Sequence, residues 1–181
     1  PLPQMTWGQW KLSRPDTLVL SPDTPFANRY RPVQIARYNQ REAGFGDDRL
    51  ASNALVIGVE VNDEFRGYPV DEIGSVGVVN DILSGQPVVI VYDSVAQSGL
   101  AFSRVVKGQT LEFYNSTNEG LELRDHTTGS LWEIQGLAKE GSLTGVKLDF
   151  VSSFISEWYG WSGYHPETDI YRPDPLSNSH E

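Results

Sequence analysis

No cysteine occurs among the 181 residues. Disulfides, thiolate nucleophiles and cysteine-ligated metals are excluded together, and cysteine usage says nothing about compartment. Only three histidines are present, and no two of them stand at metal-ligand spacing. Basic residues are also scarce, 14 against 24 acidic ones, giving a formal charge of −10. Phosphate backbones need a basic face, so this balance argues against nucleic acid as a partner. No apolar run approaches the roughly 20 residues of a membrane-spanning helix. Neither a G-x-S-x-G elbow nor a phosphate-binding loop is found. No signal peptide precedes Pro1, and the chain opens without an initiator Met; it is read as a processed or trimmed chain, or a fragment.

What is abundant points to a β protein. Seventeen glycines and eleven prolines, with five Trp and eight Tyr, suit a turn-rich chain of short strands. The stretch from Leu55 to Phe102 organises the rest. Leu55–Val61 and Phe65–Pro69 read as a hairpin across Asn62-Asp63-Glu64, followed by a helical turn at Val70–Ile73 that Gly74 stops. Gly77–Leu83 and Pro87–Tyr92 are expected to pair across Ser84-Gly85-Gln86. Leu100–Val106 is expected to pair with Thr110–Asn115 across Lys107-Gly108-Gln109, and Leu121–Asp125 with Ser130–Ile134. Strands at such intervals predict a mainly β fold, an antiparallel barrel-like or sandwich sheet with short Trp-bearing helices near both ends.

Outside these hairpins, Thr6 caps a short amphipathic helix that Pro15 ends, and an exit strand is expected to follow. Residues 21–54 form a polar surface excursion with one short strand near Val33–Tyr38; long stretches of this kind cover or bind something. From about Ser153 to Tyr164 the aromatics Phe154, Trp158 and Trp161 recur at helical spacing, and Pro166 ends the element. The organisation read from the sequence is therefore 1–20, the end of a preceding repeat unit; 21–54, the excursion; 55–172, the β domain; and 173–181, a tail.

One internal repeat is visible. Trp7, Trp10, Pro15 and Thr17 recur as Trp158, Trp161, Pro166 and Thr168 at a constant offset of 151 positions. Both copies read W-x-x-W-x-x-x-[RH]-P-[DE]-T-x-[VI]. The physical reading is a helix whose Trp pair packs on a sheet, a proline stop and an extended exit. Trp158 and Trp161 are expected to be buried, with Trp7 and Trp10 packed on the other side or at a partner surface. If the element closes one unit, the first copy closes a preceding unit.

The blocks TWGQWKLSRPDTLVLS, ALVIGVEVNDEFRGYPV, VVNDILSGQPVVIVYD, GLAFSR, RDHTTGSLWEIQGLA and YHPETDIY, in this order and spacing, resemble the prokaryotic family called domain of unknown function 3179. The resemblance runs over nearly the whole chain and implies an exported, extracytoplasmic protein, periplasmic or secreted. It further implies two related halves, this chain being similar to the second half plus the helix that ends the first. Family members often carry a loop of the form Y-C-P-L-C-G-S-A in the first half. Asp93 and Ala96 stand at the places of its two cysteines, so thiol or soft-metal chemistry does not carry over. No activity follows from the resemblance.

Candidate ligand-binding residues are Asp93, Gln97 and Ser98 in the strand-end loop, with Asp81 placed near them. A carboxylate, an amide and a hydroxyl close together suit a polar ligand or a hard cation. The alternative is a tight turn in which Asp93 and Ser94 bond their own backbone, and the same reading applies to Asn80-Asp81. Asp125-His126 forms an acid/base pair only on paper, since adjacent strand residues point to opposite faces; a polar turn is the better reading. His165 is read as a cap because Arg14 takes its place in the first copy. The five Trp suit either a carbohydrate-stacking platform or the closure of a small β core, and Asn115-Ser116-Thr117 matches a glycosylation acceptor in form only. No cofactor and no dedicated metal site is expected. The leading functional reading is a non-catalytic binding or assembly module whose partner is a preceding half of the same protein or another subunit. The rival is an enzyme or a hard-metal or polar-ligand site around Asp93.

Overall fold

A computed structural model describes residues 5–31, 46–74, 76–117 and 120–173. The strand expected near Val33–Tyr38 and the tail from residue 174 lie outside the described residues. Three two-residue turns fix the first registers, each with two successive positive φ angles: Asn62-Asp63 at 50° and 60°, Ser84-Gly85 at 49° and 73°, and Lys107-Gly108 at 50° and 80°. Two positive φ values twist a turn in the sense that paired strands need. The loops are therefore two residues long, one shorter than the sequence suggests.

The first turn joins β1 (Leu55–Val61) to β2 (Glu64–Pro69), and the single helical turn α2 (Val70–Ile73) follows. The second joins β3 (Val78–Leu83) to β4 (Gln86–Asp93). Next come β5 (Ser98–Ser103), the short hairpin β6 (Val105–Val106) with β7 (Gln109–Thr110), β8 (Phe113–Asn115), β9 (Leu123–Asp125), β10 (Leu131–Trp132) and β11 (Ala138–Glu140). The chain closes with β12 (Phe150–Val151), β13 (Ser153–Glu157), the helix α3 (Trp158–Tyr164) and β14 (Asp169–Ile170). The first helix is α1 (Trp7–Ser13), and Ala27–Arg29 form one 3₁₀ turn. With 39% strand and 14% helix the protein is mainly β, and no closed barrel forms among the described residues. No described helix is long and apolar enough to cross a membrane.

Three four-stranded sheets run in the orders β13-β1-β2-β14, β12-β5-β4-β3 and β11-β10-β9-β8. Strand β4 explains the stacking. Its Val88, Ile90 and Tyr92 join Ile57 and Val59 of β1 in one core, while Val89 and Val91 join Phe113, Leu123 and Trp132 in another. Side chains alternate across a strand, so a continuous run such as VVIVY marks a strand covered on both faces. A third, smaller core holds Val56, Trp158 and Trp161 on the far side of β1.

Three expectations need correction. Leu100–Val106 is not one strand. It breaks at Arg104, whose amide donates to the Pro87 carbonyl and whose guanidinium reaches the carbonyls of Leu111 and Asp81. Ser98–Ser103 instead pairs with β4, and Phe113–Asn115 with β9. The helical aromatic spacing from Ser153 misleads as well: Ser153–Glu157 is a strand paired to β1, and only Trp158 onward is helical. Phe154 meets the Trp161 ring edge-on at 5.4 Å from the strand rather than from a shared helix. Finally, Leu18–Leu20 pairs with no strand among the described residues.

The two W-x-x-W segments fold alike locally. Each is a seven-residue helix, and each second Trp donates its indole N–H to the Thr seven residues on, 2.8 Å for Trp10 to Thr17 and 2.8 Å for Trp161 to Thr168. Both helices end on a residue with nearly the same backbone angles, φ −138° at Arg14 and −127° at His165. Their surroundings differ. Trp158 and Trp161 are buried, at 0% and 2% exposure, whereas Trp7 and Trp10 stand at 53% and 38%.

Candidate functional site

Thr6 starts α1 with a capping box: its hydroxyl accepts from the Gln9 amide and Gln9 reaches back to the Thr6 amide. That cap holds Gln9 on the face of α1 turned to the body, where its side-chain amide donates to Asp93 Oδ2 at 3.3 Å. Behind this contact lies a cavity of about 600 Å³, within the size range of small-molecule sites, lined among others by Gln9, Asp93, Ala96, Glu122, Trp132 and Lys139.

Asp93 and Ser98 face each other as the last cross-strand pair of the β4–β5 hairpin, and both are buried. Gln97, exposed and at φ 49°, turns the loop between them. The Asp93 Oδ1 accepts from the Val95 and Ala96 amides at 2.9 and 3.1 Å, an Asx turn of the kind the sequence suggests. Asp81 is not brought to this loop. It pairs opposite Val88, five residues along β4 from Asp93, which is about 17 Å at strand rise.

Every carboxylate at the cavity already has partners. Asp93 has three donors. Glu122 accepts from Ser116 and, at 3.1 Å, from Arg124; those two contacts, Ser116 first, hold its carboxyl below the ordinary range. Glu133 pairs with Lys139 at 2.7 Å. Neither His126, stacked on Tyr114, nor His165, stacked on Phe65, lines the cavity. Among the described residues, no group of three or more His, Asp or Glu side chains is placed to hold a metal ion. The arrangement can hydrogen-bond a guest, but it poises no nucleophile against a base.

Asp81 instead anchors the join between two sheets. Its Oδ2 takes Arg66 at 2.7 Å and the Tyr68 hydroxyl at 2.8 Å, while Arg66 reaches on to Asp169 at 3.1 Å. Burial first, then the neighbouring Asp81 charge, pushes the Tyr68 phenol well above its ordinary value of 10.0. A group whose pKa is raised on folding contributes stability that is complete below the unfolded value and fades as pH rises past it. Denaturant titrations between pH 8 and 11 should therefore show Tyr68→Phe losing less stability above pH 10 than the parent chain does. Equal slopes would mean that folding does not raise the Tyr68 pKa. Arg66 keeps its charge because the Asp81 pair outweighs burial, its pKa remaining above the ordinary value.

A second buried carboxylate was legible only as a turn. Asp125, fully buried, accepts from the Thr128 amide, the Thr128 hydroxyl and the Trp132 indole N–H at 3.0 Å. Its one sequence signal is the Asp-x-x-Thr spacing of a side chain that bonds its own turn. Asp125→Ala would strand these donors, and a cost of about 2 kcal/mol is expected, read as a lowered melting temperature.

The family described as "Protein of unknown function (DUF3179)" matches residues 1–172, which include both Trp segments and the Asp93 loop. The chain belongs to this family. No curated protein and no solved structure matches it. Family membership assigns neither a ligand to the cavity nor a reaction to Asp93, so function rests on what the chain's surfaces can do.

Proposed function

We propose that this chain is a non-catalytic binding and assembly module that acts outside the cytoplasm. The observation that carries the reading is a group of exposed apolar side chains within one short segment: Trp7 and Trp10 with Leu18, Val19 and Leu20, the last three 95%, 68% and 95% exposed. Apolar side chains grouped on a surface mark interaction sites, whereas scattered ones do not. The self-satisfied carboxylates of the cavity support the same reading. The extracytoplasmic placement rests on the resemblance to exported proteins alone.

The test removes the two Trp rings without touching a core. Trp7→Ser combined with Trp10→Ser should reduce the binding of an apolar fluorescent dye and remove concentration-dependent association in light scattering. The melting temperature should stay within about 2 °C, as for ordinary surface substitutions. Dye binding and size distribution that ignore the double substitution would overturn the reading.

A second reading, a small polar ligand beside Asp93, is supported by the cavity that Asp93 and Gln9 share with Lys139. Asp93→Ala should then abolish a ligand-induced rise in melting temperature. Metal analysis of protein purified without chelator, before and after that substitution, tests the hard-cation form.

A further inference from the structure

The second Trp segment shows what kind of surface receives such an element. Gly58 of β1 and Gly67 of β2 are direct cross-strand partners. Together they leave a flat floor on the outer face of the hairpin, and the two indoles of α3 lie on it. A Cβ at Gly58 would stand 2.2 Å from the Trp161 ring, and one at Gly67 would stand 3.3 Å from the Trp158 ring. Past the proline stop, β14 joins the free edge of β2 as a parallel strand, Ile170 opposite Gly67, and the Tyr171 amide donates to the Gly67 carbonyl at 2.9 Å. The Trp158 indole N–H is taken by the Asp47 carbonyl at 3.0 Å.

The first segment shares the Trp-to-Thr bond and the backbone bonds that end the helix, and has none of this reception. Among the described residues the Trp7 indole N–H has no hydrogen bond, and Leu18–Leu20, which correspond to 169–171, join no strand. At 100° per residue, Trp7 and Trp10 centre about 110° around α1 from Gln9 and Ser13, which line the cavity, and both rings stand exposed. The helix meets the body through the Gln9–Asp93 hydrogen bond and leaves both Trp rings exposed.

We propose that Trp7–Leu20 docks on a β-hairpin of a different folded unit, one that carries a cross-strand glycine pair. Its two indoles lie flat on the glycines, and Leu18–Leu20 extends the outer strand in parallel. The proposal rests on the assembly reading above and names the partner's chemistry. A second copy of this chain is not the occupant, because its own Gly58–Gly67 floor and β2 edge are already filled by α3 and β14. Strand addition supplies backbone hydrogen bonds and the indoles supply the anchor, a division of labour known from peptide recognition at sheet edges.

The experiment places a photoreactive benzophenone amino acid at Leu18 of the full chain, produced in its native cells, and maps the cross-linked residue by mass spectrometry. The expected product lies on a strand whose hairpin carries paired glycines. Trp7→Ala with Trp10→Ala should cut its yield by at least about thirtyfold, the scale of losing one buried aromatic hot spot. Gly→Val at the mapped glycine pair should do the same. Cross-links to another copy of this chain, or to a surface without the glycine pair, would overturn the docking mode while leaving the assembly reading standing. No cross-link at all, with dye binding indifferent to the Trp pair, would sink both.

Discussion

Trp158→Ala should lower the melting temperature by roughly 6–20 °C. The range follows from about 3–5 kcal/mol for truncating a fully buried aromatic and 2–4 °C per kcal/mol in a domain of this length. The ring has no solvent exposure. It loses three things at once: its packing on Val56, the indole bond to the Asp47 carbonyl, and the Arg49 guanidinium 5.3 Å from its ring. Gly67 beneath the ring offers no side chain to fill the space it would leave. Trp7→Ala, at the matching position of the first segment, should change the melting temperature by no more than about 2 °C. A small shift for Trp158→Ala in calorimetry would show that the third core contributes little to the folded state.

Gly58→Val is the second large effect, and it works in the opposite sense, by overfilling. The new Cβ would meet three atoms of the Trp161 ring within 2.6 Å. Trp161 cannot yield easily, because its indole is bonded to Thr168 and wedged between Phe65, Phe154 and His165. Overpacking of a tight site costs about 1–3 kcal/mol, and the upper end is expected here. Pairing Gly58→Val with Trp161→Ala should recover part of the loss, which a thermodynamic cycle would measure as a coupling. Additive losses would mean that the valine disturbs the strand itself rather than the ring above it.

Local chemistry made much of this fold legible. Asn62-Asp63 and Ser84-Gly85 announce hairpins because few residue types accept two positive φ angles in succession. The Trp–Trp–Pro–Thr repeat identified both helices and the burial of Trp158 and Trp161. Two kinds of feature stayed hidden. The partner of β5 could not be read, since Leu100 and Phe102 suit either neighbour and the choice was made by Arg104 bonding to three distant carbonyls. The surroundings of Asp81 were equally invisible, because Arg66 and Tyr68 reach it across two sheets. Asp93 was read correctly as the owner of its turn. The cavity beside it depends on Gln9, 84 positions away, and no local pattern encodes that distance.

Both edges of the β1–β2 hairpin are closed by the same late segment. β13 covers the β1 side, with Leu55 opposite Glu157, and β14 covers the β2 side. A ribosome making this chain therefore releases a hairpin with two open flanks long before the residues that seal it exist. Such distant pairings slow folding, and an unsealed flank is where nascent chains stick to one another. The nascent protein remains an incomplete sheet until about position 170, so shortening it by even a dozen residues before that point trades a sealed sheet for a sticky one.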